Sequence, residues 1–153
     1  MGVRGMHREA SIEIQASPDA VYALVSDLPR MGEWSPENMG GEWQNGGSGQ
    51  VGDRFLGHNR TSERAWSVPV MVTVAERGQC FEFVTRPDEG PYVHWTYRLE
   101  PSGTGTRVTE IWDVEKLSPG RQQATQEQLD ARSQYTETML TKTLAALKAT
   151  AEG

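Results

Sequence analysis

The spacing of apolar residues along the chain alternates between strand-like and helical periods. Arg8 to Gln15 alternates, with Ala10, Ile12 and Ile14 on one face and Ser11 and Glu13 on the other, which predicts a half-buried strand. Ser17-Pro18-Asp19 then reads as a helix start: a hydroxyl N-cap, proline at the first helical position and an acid favoured by the helix dipole. Val21, Leu24, Val25 and Leu28 follow at i, i+3, i+4 and i+7, predicting an amphipathic helix of about ten residues. Pro29 interrupts it, Leu28 to Trp34 restarts as a further short turn or helix, and Pro36 ends that stretch.

From Asn38 to Glu115 the pattern is strands and turns. Gly40 to Trp43 is a weak strand, followed by the turn cluster Asn45-Gly46-Gly47-Ser48-Gly49. Arg54 to Arg60 and Trp66 to Val74 come next, the latter with Val68, Val70, Val72 and Val74 on one face. Gln79 to Thr85 places Phe81 and Phe83 together, and Tyr92 to Glu100 does the same for Val93, Trp95, Tyr97 and Leu99. After the turn Pro101-Ser102-Gly103-Thr104-Gly105, Thr106 to Val114 returns with Val108, Glu110, Trp112 and Val114 on one face. The regular hairpin spacing predicts an antiparallel meander. Ser118-Pro119 repeats the N-cap signature and predicts a helix running to about Ala149. Its stripe, Leu129, Ser133, Thr136, Leu140, Leu144 and Leu147, is polar at first and apolar later. Such a helix is gripped along its later turns while its earlier turns border an opening. The fold class that follows is α+β: a curved antiparallel sheet of about six or seven strands wrapped on a long C-terminal helix, with two short helices near the N-terminus.

Length and composition fit one domain over residues 1–153. Hydrophobic residues make up 36% and charged residues 24%, a globular balance. A formal charge of -6 with no basic block argues against nucleic acid and against a membrane surface. The longest apolar runs fall far below the roughly 20 residues needed to cross a bilayer. Met1 to Arg8 carries Arg4 and Arg8 with no apolar segment after them, and Cys80 is alone. Both point to a reducing cytoplasm, with a monomer or homodimer as the expected state.

The run from Ser17 to Tyr22, with Asp27-Leu28-Pro29-Arg30-Met31-Gly32-Glu33-Trp34-Ser35-Pro36-Glu37, resembles the N-terminus of the START-like superfamily. That group is also called SRPBCC, or polyketide cyclase/dehydrase and lipid transport. Val51 to Arg60, His94 to Glu100 and Gly105 to Glu110 resemble a bacterial branch of it. The resemblance implies a helix-grip fold with an apolar cavity between the sheet and the last helix. The superfamily includes lipid carriers, hormone receptors, aromatase/cyclases, oxygenase subunits, coenzyme Q carriers and chaperone-activating domains, and no catalytic motif is common to them. The His/Asp metal cluster of the oxygenase subunits has no match here.

Residue chemistry narrows the candidates further. His7, His58 and His94 are far apart and show no ligand spacing, so neither a metal nor a cofactor is expected. Gly46 to Gly52 lacks the Gly-Lys-Ser/Thr ending of a phosphate loop, and there is no GxSxG elbow. Glu110 shares parity with Val108 and Trp112, so it faces a cavity if Val108 does. A carboxyl there can act as general acid or base, or anchor a ligand hydroxyl; alternatively it pairs with Arg98 or Arg54. Asn59, in phase with Phe55 and Gly57, either offers its amide to the same space or bonds a turn. Phe81, Phe83, Trp95, Tyr97 and Trp112 are candidate walls as well as ordinary core. Trp34 sits on the segment that would roof the cavity, and Glu37 belongs to the same mouth or to a solvated loop. The charged loop residues Arg60, Glu63 and Arg64 receive no role. These features predict binding of a small hydrophobic or aromatic ligand, lipid- or polyketide-like. A cyclase/dehydratase using Glu110 and a protein-interaction module are the alternatives.

Overall fold

The structure, a computed structural model, describes residues 5–153. The expectation drawn from Met1 to Arg8 therefore rests in part on residues outside that range. Seven strands form one antiparallel sheet: β1 (His7–Ile14), β2 (Asn38–Trp43), β3 (Arg54–Arg60), β4 (Ala65–Glu76), β5 (Cys80–Thr85), β6 (Val93–Ser102) and β7 (Gly105–Val114). Their spatial order is β1-β7-β6-β5-β4-β3-β2, so the meander runs from β2 to β7 and β1 adds beside β7. The two edge strands, β1 and β2, are joined by α1 (Pro18–Val25) and a 3-10 helix (Leu28–Glu33). The long helix α2 (Gln126–Glu152) closes the chain against the inner face of the sheet. This is the helix-grip α+β fold.

Local chemistry accounts for the helix limits. The Ser17 hydroxyl accepts from the Ala20 amide at 3.1 Å, which caps α1. The Ser26 hydroxyl donates to the Tyr22 carbonyl at 2.7 Å, and the chain then tightens into the 3-10 helix around Pro29. The expected helix start at Ser118-Pro119 yields only a single 3-10 turn, Pro119–Arg121, and Ser118 makes no capping bond. The true cap is Thr125. Its hydroxyl accepts from the Gln128 amide at 3.1 Å, and the Gln128 side chain accepts from the Thr125 amide at 2.9 Å. At its far end α2 is tied to β1 and its loop: Lys148 donates to the Glu13 carbonyl at 2.8 Å, and Glu152 accepts from the Gln15 amide at 2.7 Å.

The core occupies the closed end of the grip. Ile14, Val72, Phe81 and Val108 of the sheet meet Leu144 and Leu147 of α2, all within 1% of full burial. Each such side chain contributes about 1.5–3 kcal/mol on leaving water. One expected face changes partway along β4. Val72 pairs with Phe83 but Val74 pairs with Glu82, so Thr73 is an extra residue and the alternation reverses. Ala75, not Val74, therefore packs against the core.

Candidate functional site

Toward the other end, the sheet and α2 separate around a cavity of about 480 Å³. That volume lies in the range of small-molecule sites. Its walls are Phe55, Val70, Phe83, Trp95 and Tyr97 of the sheet and Leu140 of α2. Strand parity brings Glu110 and Trp112 of β7 to the same lining, beside Tyr97 and Trp95, their register partners on β6. Asn59 lines it from β3, half-buried, paired across the sheet with Trp66 and Asn38.

Two of the expected lining residues lie elsewhere. Trp34 is only 3% exposed and belongs to the core, with the Arg30 guanidinium 5.9 Å from its ring centre. The roof falls instead to its neighbours Met31, Ser35, Pro36 and Glu37. Phe81 is fully buried below the cavity, edge-on to Tyr22 at 6.0 Å. Phe81 faces inward as the alternation predicts, but in the packed core and not at the cavity.

Glu110 does not pair with either candidate arginine. Arg54 is held by Asp88 at 2.8 Å, and Arg98 is exposed on the opposite face of β6. Burial pushes the Glu110 carboxyl up to about 8, and the hydrogen bond offered by the Tyr97 hydroxyl only partly offsets this. The Tyr97 phenol is itself pushed well above its usual value by burial and by the adjacent carboxylate. Glu110 Oε1 and Trp112 Nε1 are both buried and without a hydrogen-bond partner among the described residues. The histidines take no part: His7 contacts Glu9 and Asp113, His58 contacts Glu42 and Ser67, and His94 contacts Glu115 and Glu82. Among the described residues no His, Cys, Asp and Glu cluster suits a metal ion.

The mouth is richer in charge than the sequence suggested. Arg64, Arg121, Arg132 and Lys116 line it, together with Glu37 and Tyr135. The Arg64 guanidinium lies 4.3 Å over the Trp66 ring. The Tyr135 hydroxyl donates to the Glu37 carboxylate, which raises the phenol and fixes Glu37 at the rim. Arg132 and Tyr135 flank the inward residues Ser133 and Thr136 on the polar half of α2, the one signal in the sequence that could have found them. The cations come from separate segments, so their convergence becomes visible only with the tertiary fold.

Comparison with known proteins agrees with this architecture. Residues 6–152 match the family model described as polyketide cyclase / dehydrase and lipid transport. No curated protein matches the chain. A solution structure of a Polyketide_cyc-like protein from Corynebacterium glutamicum is 34% identical, with a TM-score of 0.71 over 96% of this chain and 91% of that one. A START superfamily protein from Mycobacterium smegmatis is 18% identical, with a TM-score of 0.71 over 97% and 98% of the two chains. An aromatase/cyclase from Streptomyces sp. R1128 is 13% identical, with a TM-score of 0.74 over 95% and 93%. The last two likenesses concern the fold alone.

Proposed function

The chain belongs to the polyketide cyclase / dehydrase and lipid transport family, and from that membership and the cavity we propose that it binds one small, largely apolar or aromatic molecule between the sheet and α2. The observation that carries this reading is the pair of orphaned polar atoms, Glu110 Oε1 and Trp112 Nε1. Leaving a buried polar group unpaired costs about 1–3 kcal/mol. The Trp112 N–H can only donate, whereas a carboxyl with its pKa near 8 is mainly protonated at neutral pH and can donate or accept. Glu110 and Trp112 both line the cavity, and a ligand hydroxyl or carbonyl that reaches these covered atoms satisfies them, while Phe83 and Trp95 contact its apolar body. The single Cys80 supports a reducing compartment.

The first test is native mass spectrometry of gently purified protein, followed by solvent extraction and titration of what is released. One bound molecule per chain is expected, with an affinity lowered about tenfold by Trp112→Phe. A protein that carries nothing and takes up no N-phenyl-1-naphthylamine in a saturable way would sink the proposal.

The protonated state of Glu110 favours a second reading, a cyclase/dehydratase. In dehydration of a β-hydroxy ketone, the Glu110 carboxyl gives its proton to the departing hydroxyl, which leaves as water. The resulting carboxylate takes the proton from the α-carbon and is restored. Glu110→Gln then abolishes turnover while binding persists; equal turnover in the variant would remove Glu110 from the chemistry.

A further inference from the structure

The mouth of the cavity constrains what enters it, an argument that rests on the container reading above. Arg64 precedes β4, Arg121 closes the 3-10 turn after β7, and Arg132 stands near the start of α2, yet all three line one opening. Elsewhere Arg8, Arg30, Arg54 and Arg107 are each held by a carboxylate at 2.7 to 3.0 Å. Among the described residues Arg64, Arg121 and Arg132 have no carboxylate partner of this kind. The acid that faces Arg132 is Glu37, which favours its charged form but makes no ion pair with it and accepts from the Tyr135 hydroxyl, and the other lining acid, Glu110, lies deep. Lys116 and Arg86 add further positive charge to the lining, the latter loosely paired with Glu89 at 3.6 Å.

In a chain of formal charge -6, this grouping is not a by-product of overall composition. Like charges brought together in partly desolvated surroundings repel one another. Arg132 registers the effect: burial and the neighbouring Arg121 and Arg64 guanidiniums disfavour its charged form. An oxyanion placed among the three relieves the repulsion and accepts their forked donors. We infer that the ligand is an amphiphilic anion, with an apolar body in the cavity and a single carboxylate, sulfonate or phosphate group held at the mouth by Arg64, Arg121 and Arg132. Its far end meets Glu110 and Trp112, so the molecule is polar at both ends and apolar between them.

Two dyes with the same aromatic body test this: 8-anilinonaphthalene-1-sulfonate and its uncharged parent, N-phenyl-1-naphthylamine. Fluorescence titration is expected to give one site per chain for each, with the sulfonate bound about tenfold more tightly at low salt. Arg64→Gln, Arg121→Gln and Arg132→Met each shrink that gap and leave the neutral dye unchanged, whereas Arg132→Lys keeps part of it. Arg64 is exposed on a loop, so its variant keeps the test alive if Arg132→Met melts early. Equal affinity for the two dyes overturns the anion subsite while the container stands; no saturable uptake of either overturns both. Inorganic phosphate at the dye concentration is expected to compete poorly. If it abolishes the preference by itself, the subsite serves a free anion and the amphiphile is excluded.

Discussion

At Glu110, binding and folding stability oppose each other. In the unfolded chain the carboxyl titrates near 4.5, and in the folded protein near 8. Between those values the unfolded state is ionised while the folded state keeps its proton. The folded state therefore binds more protons, and stability falls as pH rises from about 4.5 to about 8. Glu110→Gln removes the titration with little change of shape. The variant is expected to exceed the parent by about 2–4 kcal/mol at pH 8 and to differ little at pH 4.5, measured by urea unfolding at each pH. A gain that is the same at both pH values would contradict a raised carboxyl pKa. Parity was enough to bring Glu110, Tyr97 and Trp112 to one lining, because successive strand residues alternate faces. It could not separate Phe83, at the cavity, from Phe81, in the packed core two residues away. Alternation gives the face of a residue and not its distance along the grip.

The elements were legible wherever a turn residue or cap had no competitor. β3 runs from Arg54 to Arg60, the bounds its spacing predicts, because turn-forming sequences lie on both sides. α2 had two candidate starts. Ser118-Pro119 matches the single-residue signature, but Thr125 and Gln128 form the reciprocal pair, which satisfies two amides instead of one. Thr125→Ala is expected to cost about 1 kcal/mol. Ser118→Ala, which removes no capping bond, leaves the urea midpoint unchanged. A comparable loss in both variants would mean that the 3-10 turn carries the helix start. The bulge at Thr73 was hidden for a different reason. Val72, Thr73 and Val74 are all β-branched and suit either face of a strand, so only pairing with Phe83 and Glu82 reveals the extra residue.

Across the whole molecule, the two halves of α2 divide the protein into a packed end and an open end. Leu144 and Leu147 seal one against Ile14, Val72 and Val108, while Arg132, Tyr135 and Thr136 border the other. The open end can be tested with a pair of glycines that face each other across β2 and β3, Gly41 and Gly57. A Cβ on Gly41 would come within 2.1 Å of the Leu56 carbonyl and 2.7 Å of the Phe55 ring, so no side chain fits. A Cβ on Gly57, which lines the cavity, meets nothing nearer than 3.7 Å. Gly41→Ala is therefore expected to destabilise by about 1–3 kcal/mol through overpacking. Gly57→Leu seats its Cβ at ordinary van der Waals distance on the cavity lining and replaces a residue that weakens strands, so its melting temperature is expected to stay level or rise. The same variant is expected to bind N-phenyl-1-naphthylamine about tenfold more weakly, because part of the cavity is filled. Weakened binding without a loss of stability is the signature of space kept open for a ligand. If Gly57→Leu melts early, that space serves core packing; if it binds the dye as well as the parent, the dye sits somewhere other than between the sheet and α2.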